Sequence, residues 1–261
     1  MTETLEGFNL IFAMTLYLGT SGFSYRDWMN NAFYPDKIRK ENLLEYYSSI
    51  FNTVEINATF YRLPAIKTLQ GWVSKTGDGF RFSIKLSRRI THYARLENCK
   101  EELAKNRIIA EVLGRKLAVV LIQLPPSLKA NLPLLLGFLD SMRRVWGDLM
   151  PRIAVEFRHN SWLNDDVYSS LRKEGVCVAI SDHRQCRVEH SNNVDFLYIR
   201  KHGPDGYYGG SYSDEELQSC ATLISKYLSV GDVFVYFNND THACAPRDAQ
   251  RLKRLVRVTP V

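Results

Sequence analysis

Two glutamates and several cations stand at the ends of short apolar runs, in a spacing that suits chemistry on an anionic ligand. Glu55 lies in Thr53-Val-Glu-Ile-Asn57, Lys85 closes Phe82-Ser-Ile-Lys85, and Glu156-Phe-Arg158 and Arg200-Lys-His202 each carry two polar residues on one face. Two carboxylates can divide into a general acid and a general base when their surroundings push their pKa values apart. Lys85, Arg158 and Arg200 can hold a phosphate or carboxylate, arginine with a bidentate grip. A desolvated lysine can instead form a Schiff base, which gives Lys85 a second chemistry. His202 follows an extended run and precedes Gly203-Pro204; it suits proton transfer, or alternatively only caps a loop. The candidate catalytic residues are therefore Glu55, Lys85, Glu156 and His202.

The candidate binding residues surround them: Ser21, Asn57, His92, Arg158, Asp182, Tyr198, Arg200, Tyr236, Asn238 and Asn239, with the rings of Tyr25, Trp28, Phe60, Tyr61 and Trp162. Large rings in loops over a polar pit suit stacking on a sugar or base, although each ring singly also suits ordinary packing. The charged set has its own alternative, a buried ion-pair network that only orders the fold. His183, Cys186 and His190 read H-x-x-C-x-x-x-H, a lone triplet and weak as a metal site. No H-E-x-x-H, G-x-S-x-G, G-x-G-x-x-G or phosphate-loop motif occurs, so no metal or cofactor is expected.

Something must bring these scattered residues together. Extended runs at 16–19, 53–57, 80–85, 117–123, 153–157, 176–181, 196–200 and 232–237 alternate with amphipathic helical segments. Their starts are about 31 residues apart, the size of a βα unit, and such alternation implies a parallel sheet. Eight units predict a single (β/α)8 TIM barrel, whose site would lie at the C-terminal strand ends. Side chains alternate along a strand; on most of these runs one parity is apolar and the other turns polar near the end. Only fourteen residues separate Ser181 from Phe196, so an irregular loop is expected there instead of a helix. Residues 14–261 would form the barrel domain, and residues 1–13 an N-terminal extension, disordered or dispensable.

With 261 residues, 45% hydrophobic and 24% charged, the chain is neither disordered, collagen-like nor coiled coil. Its five cysteines are scattered without C-x-x-C, as expected of reduced thiols in the cytoplasm. No run reaches the ~18 apolar residues that cross a bilayer, so no membrane partner is expected. The net charge of +6 fits a small anionic or sugar-like ligand, with nucleic acid as the alternative partner.

The strand-end strings also carry a resemblance. Gly19-Thr-Ser-Gly22-Phe-Ser-Tyr25-Arg-Asp-Trp28 with Tyr34-Pro35, Thr53 to Tyr61, Phe82 to Lys85 with Ile90-Thr-His92, and Gln123-Leu-Pro-Pro126 come first. Glu156 to Trp162, Tyr198 to Gly203, and Tyr236 to Asp240 with Ala245-Pro246 follow in order. The sequence resembles the YecE-like family, domain of unknown function 72, from about Leu16 to Val256. The resemblance implies a TIM barrel and no established activity. That barrel is similar to the endonuclease IV and xylose isomerase group, an analogy of fold that raises phosphodiester or sugar chemistry, and DNA repair as the alternative.

Overall fold

The computed structural model describes residues 14–258; the expectation for residues 1–13 lies outside the described residues. The strands are β1 (Leu16–Thr20), β2 (Thr53–Ile56), β3 (Arg81–Lys85), β4 (Leu117–Gln123), β5 (Arg152–Glu156), β6 (Val176–Val178), β7 (Ile180–Ser181), β8 (Phe196–Lys201) and β9 (Asp232–Phe237). The helices are α1 (Leu43–Ile50), α2 (Ala58–Tyr61), α3 (Ile66–Ser74), α4 (Lys100–Leu113), α5 (Leu132–Trp146), α6 (Asp165–Lys173), α7 (Asp214–Tyr227) and α8 (Cys244–Val258). Helix starts follow local chemistry: Asn131 and Asn164 accept from the backbone N–H three residues on, and Ser213 with Glu216 completes a capping box. Residues 182–195 form no helix.

The ladders are parallel and make two sheets, β1-β9-β8-β7 and β2-β3-β4-β5-β6, where a single closed ring was expected. The sixth expected strand is split at Ala179: β6 pairs with β5, and β7 pairs with β8. At the other seam, β1 and β2 share one bridge, Ser21 with Glu55, and the Gly22 N–H donates to Glu55 O at 2.7 Å. Side chains do the rest of the joining. Asn52 accepts from the Leu18 N–H (3.0 Å) and donates to Leu16 O (2.7 Å). The Tyr47 hydroxyl accepts from the Thr20 N–H (2.8 Å) and donates to Thr53 O (3.1 Å). These groups occupy the donors and acceptors that a continuous ladder would use. The approach is close enough that a Cβ on Gly19 would stand 2.1 Å from Thr53 O, so glycine is needed there.

Parity then builds two layers. Val119, Leu121, Ala154, Cys177, Phe196, Tyr198, Phe234 and Tyr236, drawn from both sheets, pack in one inner cluster. The alternating residues, such as Val120, Ile122, Val155, Leu197 and Val235, pack with the helices in the outer core. All five cysteines are buried and unpaired.

Candidate functional site

At the C-terminal ends of the strands the inner face changes from apolar to charged, and its centre is Arg200. This guanidinium, buried on β8, donates through Nη2 and Nε to Glu55 Oε1 (2.6 Å) and Oε2 (2.9 Å), and through Nη1 to Glu156 Oε2 (2.7 Å). Ser21 Oγ (2.5 Å) and Tyr198 OH (2.7 Å) also donate to Glu55. Glu156 Oε1 accepts from Ser181 Oγ at 2.8 Å and lies 3.0 Å from Arg158 Nη2. Burial would raise both carboxyls, but it is overcome. Arg200, Ser21 and Tyr198 lower Glu55, and Arg158, Arg200, His202 and Lys85 hold Glu156 well below its ordinary value. Both glutamates are therefore carboxylates at neutral pH. In this resting arrangement neither glutamate holds the proton that a general acid needs.

His202 belongs to the same network, its Nε2 also 3.4 Å from Glu156 Oε1. Its Nε2 lies 3.0 Å from Arg200 Nη1 and 3.2 Å from Arg158 Nη2, and guanidinium nitrogens only donate. Nε2 must therefore accept, which puts the proton on Nδ1, 3.4 Å from both Asp182 Oδ1 and Ser181 Oγ. Burial lowers its pKa further. The Nε2 of His202 thus bridges the Arg200 and Arg158 guanidiniums. Asp182 holds it from behind, accepting from the His202 N–H (2.6 Å), Tyr212 OH (2.7 Å) and Lys201 Nζ (2.8 Å).

Around this network lies a less saturated ring. Lys85 Nζ sits 4.0 Å over the Phe60 ring and makes no hydrogen bond or ion pair with a described residue. Burial, then the Arg200 charge, lower it to about 7, with Arg158 adding to the effect against Glu156 and Glu55. Beside it His92 packs edge-on to Phe60, with ring centroids 4.9 Å apart. Burial and Lys85 lower His92 to about 4. Arg158 Nε, Asn57 Oδ1 and Asp240 Oδ1 are buried without a hydrogen-bond partner among the described residues.

Asp240 and Ser181 were absent from the candidate set, and both are important here. Burial raises the Asp240 carboxyl to about 7, against the pull of the Tyr25 hydroxyl and the Arg200 charge. Its signal was available, since Asp240 continues the parity of Tyr236 and Asn238. Ser181 ends the sixth run and directly precedes the candidate Asp182. His183 packs edge-on to the His202 ring at 5.1 Å, and burial lowers it to about 3. Among the described residues no three His, Cys, Asp or Glu side chains form a metal-holding group, so His183, Cys186 and His190 do not converge.

Several candidate binding residues have structural duties. Trp28 and Trp162 are fully buried, with their indole N–H groups on Asp240 O (3.0 Å) and Leu128 O (2.8 Å), so neither ring is open to a ligand. Tyr236 lies deeper, bonded to Thr53 and Ser83. Asn239 donates to Gly210 O (2.7 Å) and Asp248 Oδ2 (2.9 Å), which clamps a loop to α8. Asn238, one residue past β9, is buried, and its backbone N–H donates to Lys201 O at 2.7 Å. Tyr61 is 62% exposed at the outer edge, stacked edge-on against Phe60. Tyr25 is half-buried, its hydroxyl on Ser21 O.

The chain is 27% identical to the UPF0759 protein YunF of Bacillus subtilis strain 168, over 93% of this chain and 95% of that protein. It is 30% identical to the UPF0759 protein YecE of Escherichia coli K12, over 65% of this chain and 60% of that protein. Among solved structures, a DUF72 family protein of Thermotoga maritima MSB8 superposes with a TM-score of 0.81 at 27% identity, covering 93% and 99% of the two chains. Another from Enterococcus faecalis V583 gives 0.78 at 18% identity, covering 95% and 97%, a likeness of fold. No helix among the described residues is long and apolar enough to cross a membrane. Over residues 17–260 the sequence matches the family described as protein of unknown function DUF72, and the chain belongs to that family.

Proposed function

We infer that the strand-end site takes a small anionic or polyhydroxylated molecule, a sugar phosphate or nucleotide fragment in class, and acts on it as an enzyme without a metal. The observation that carries this reading is an imbalance of partners. Arg200 is matched by two carboxylates, whereas Lys85 Nζ and Arg158 Nε have no such partner among the described residues. An anionic group beside Arg158 would supply its missing acceptor and leave the Lys85 amine facing the rest of the molecule. Asp240, near neutrality in its proton affinity, takes the proton-transfer role first assigned to the glutamates. In this reading the two sheets work as one (β/α)8 barrel, supported by the split strand at Ala179 and the Asn52–Tyr47 seam. The unpaired thiols fit a reducing, cytoplasmic setting.

A nucleic-acid strand across the same end is the second reading. It draws on Arg88, 5.4 Å from the Tyr61 and Tyr93 ring centroids, and on Arg184, 3.8 Å from that of Tyr207.

Thermal shift with inorganic phosphate, ribose 5-phosphate and ribose tests the first reading. Ribose 5-phosphate is expected to raise the melting temperature most, and Arg158→Gln to remove most of that gain. No shift by any of the three at millimolar concentration would overturn it.

A further inference from the structure

The inward parity of β3 runs from Ser83, bonded to Tyr236 inside the sheets, to Lys85 at the strand end. The Lys85 amine therefore emerges among the charged groups, and yet none of them pairs with it. Glu55 already accepts from Arg200, Ser21 and Tyr198, and Glu156 from Arg200 and Ser181 with Arg158 beside it. Two guanidiniums, on Arg200 and Arg158, act against a third positive charge, which the face of the Phe60 ring at 4.0 Å offsets only in part. His92, on the same side, is neutral at physiological pH.

We propose that Lys85 is a nucleophile that forms an imine with the carbonyl carbon of a small anionic aldehyde or ketone, whose phosphate or carboxylate is held by Arg158. The proposal rests on the anion-binding reading above and adds a reaction to it. The Lys85 nitrogen bonds to the carbonyl carbon. The carbon–oxygen bond then breaks, and the oxygen leaves as water with the two amine protons. No oxidant or cofactor is required. An uncharged amine is the reacting form, and burial with the Arg200 and Arg158 charges brings Lys85 to about 7, so much of it is unprotonated at neutral pH. Arg158 is suited to the anion because its Nη2 is engaged by Glu156 while its buried Nε has no acceptor among the described residues.

Borohydride trapping tests this on the full chain, with ribose 5-phosphate and pyruvate as charged probes and ribose as the uncharged control. Reduction converts the imine to a stable secondary amine, mapped by peptide mass spectrometry. Lys85 is expected to carry at least tenfold more adduct than exposed Lys67 and Lys100 with a charged probe. Arg158→Gln should lower that labelling about tenfold, and ribose should label poorly. Labelling of Lys85 no greater than that of the surface lysines overturns the proposal. If ribose 5-phosphate still raises the melting temperature in that case, the anion site stands and only the imine falls; without that rise, both fall.

Discussion

Arg200 and Glu55 meet across the two sheets, β8 of one and β2 of the other, through paired bonds of 2.6 and 2.9 Å. The same guanidinium reaches Glu156 on β5, so one side chain ties three distant strands at their C-terminal ends. Removing it would leave two buried carboxylates without their main counter-charge. Breaking a buried pair costs about 3–5 kcal/mol. Arg200→Met is expected to lose at least that much in urea denaturation at pH 7. It should regain part of the loss on mild acidification, because carboxyls buried without Arg200 would take up protons. A loss of less than about 1 kcal/mol would show that the network does not support the fold.

Asp240 sets a pH dependence of definite sign. Its folded pKa is raised from 3.8 to about 7, so between those values the folded chain keeps a proton that the unfolded chain has released. Stability from this group falls as pH rises through that window. Asp240→Asn should therefore gain on the wild type as pH goes from about 4 to 7, with little difference below. Parallel urea midpoints across the window would contradict the placement of this carboxyl.

Lys85 has its dependence at higher pH. Its folded value, about 7, is lowered from 10.5, so between them the unfolded chain binds a proton that the folded chain lacks. Stability from Lys85 therefore rises with pH across that window. Lys85→Met should be more stable than the wild type at pH 7, with the advantage shrinking toward pH 10. Denaturation curves at several pH values check this, and an advantage that grew with pH would refute it.

The seam between β1 and β2 depends on the Tyr47 hydroxyl. Tyr47→Phe removes the partner of the Thr20 N–H and of Thr53 O, all of them buried. Leaving such groups unsatisfied costs about 1–3 kcal/mol each. The variant should be destabilised by roughly 2 kcal/mol or more, with faster hydrogen exchange at Thr20. Unchanged exchange there would mean that the backbone closes the seam alone.

The nucleic-acid reading has a separate signature. Binding through exposed arginines and tyrosines should weaken steeply with salt. Fluorescence anisotropy with single- and double-stranded DNA and RNA in dilute salt checks it. No binding there leaves the small-molecule reading alone.

Much of the architecture was legible from alternation. A period of two is local, so the sequence shows which residues of a strand share a face, and Glu55, Lys85, Glu156 and Arg200 do emerge on the inner one. The capping asparagines and the helix-free segment at 182–195 were equally local. The closed ring was less accurate. Which hydrogen bonds join β1 to β2 depends on Asn52 and Tyr47, side chains outside the strands that no periodicity marks.

The sequence by itself determined the strands and the polar parity that appears near their C-terminal ends. Only the tertiary structure decided what those charges are. Arg200 lies 145 residues from Glu55, and only the facing of two sheets brings them together. Once it does, both glutamates are held ionised, Lys85 has no carboxylate partner among the described residues, and Asp240 keeps its proton affinity near neutrality. The two tryptophans likewise have the composition of a ligand platform, but lie beneath the loops. Protonation and exposure depend on burial and on neighbours remote in sequence, so a linear pattern carries little record of them.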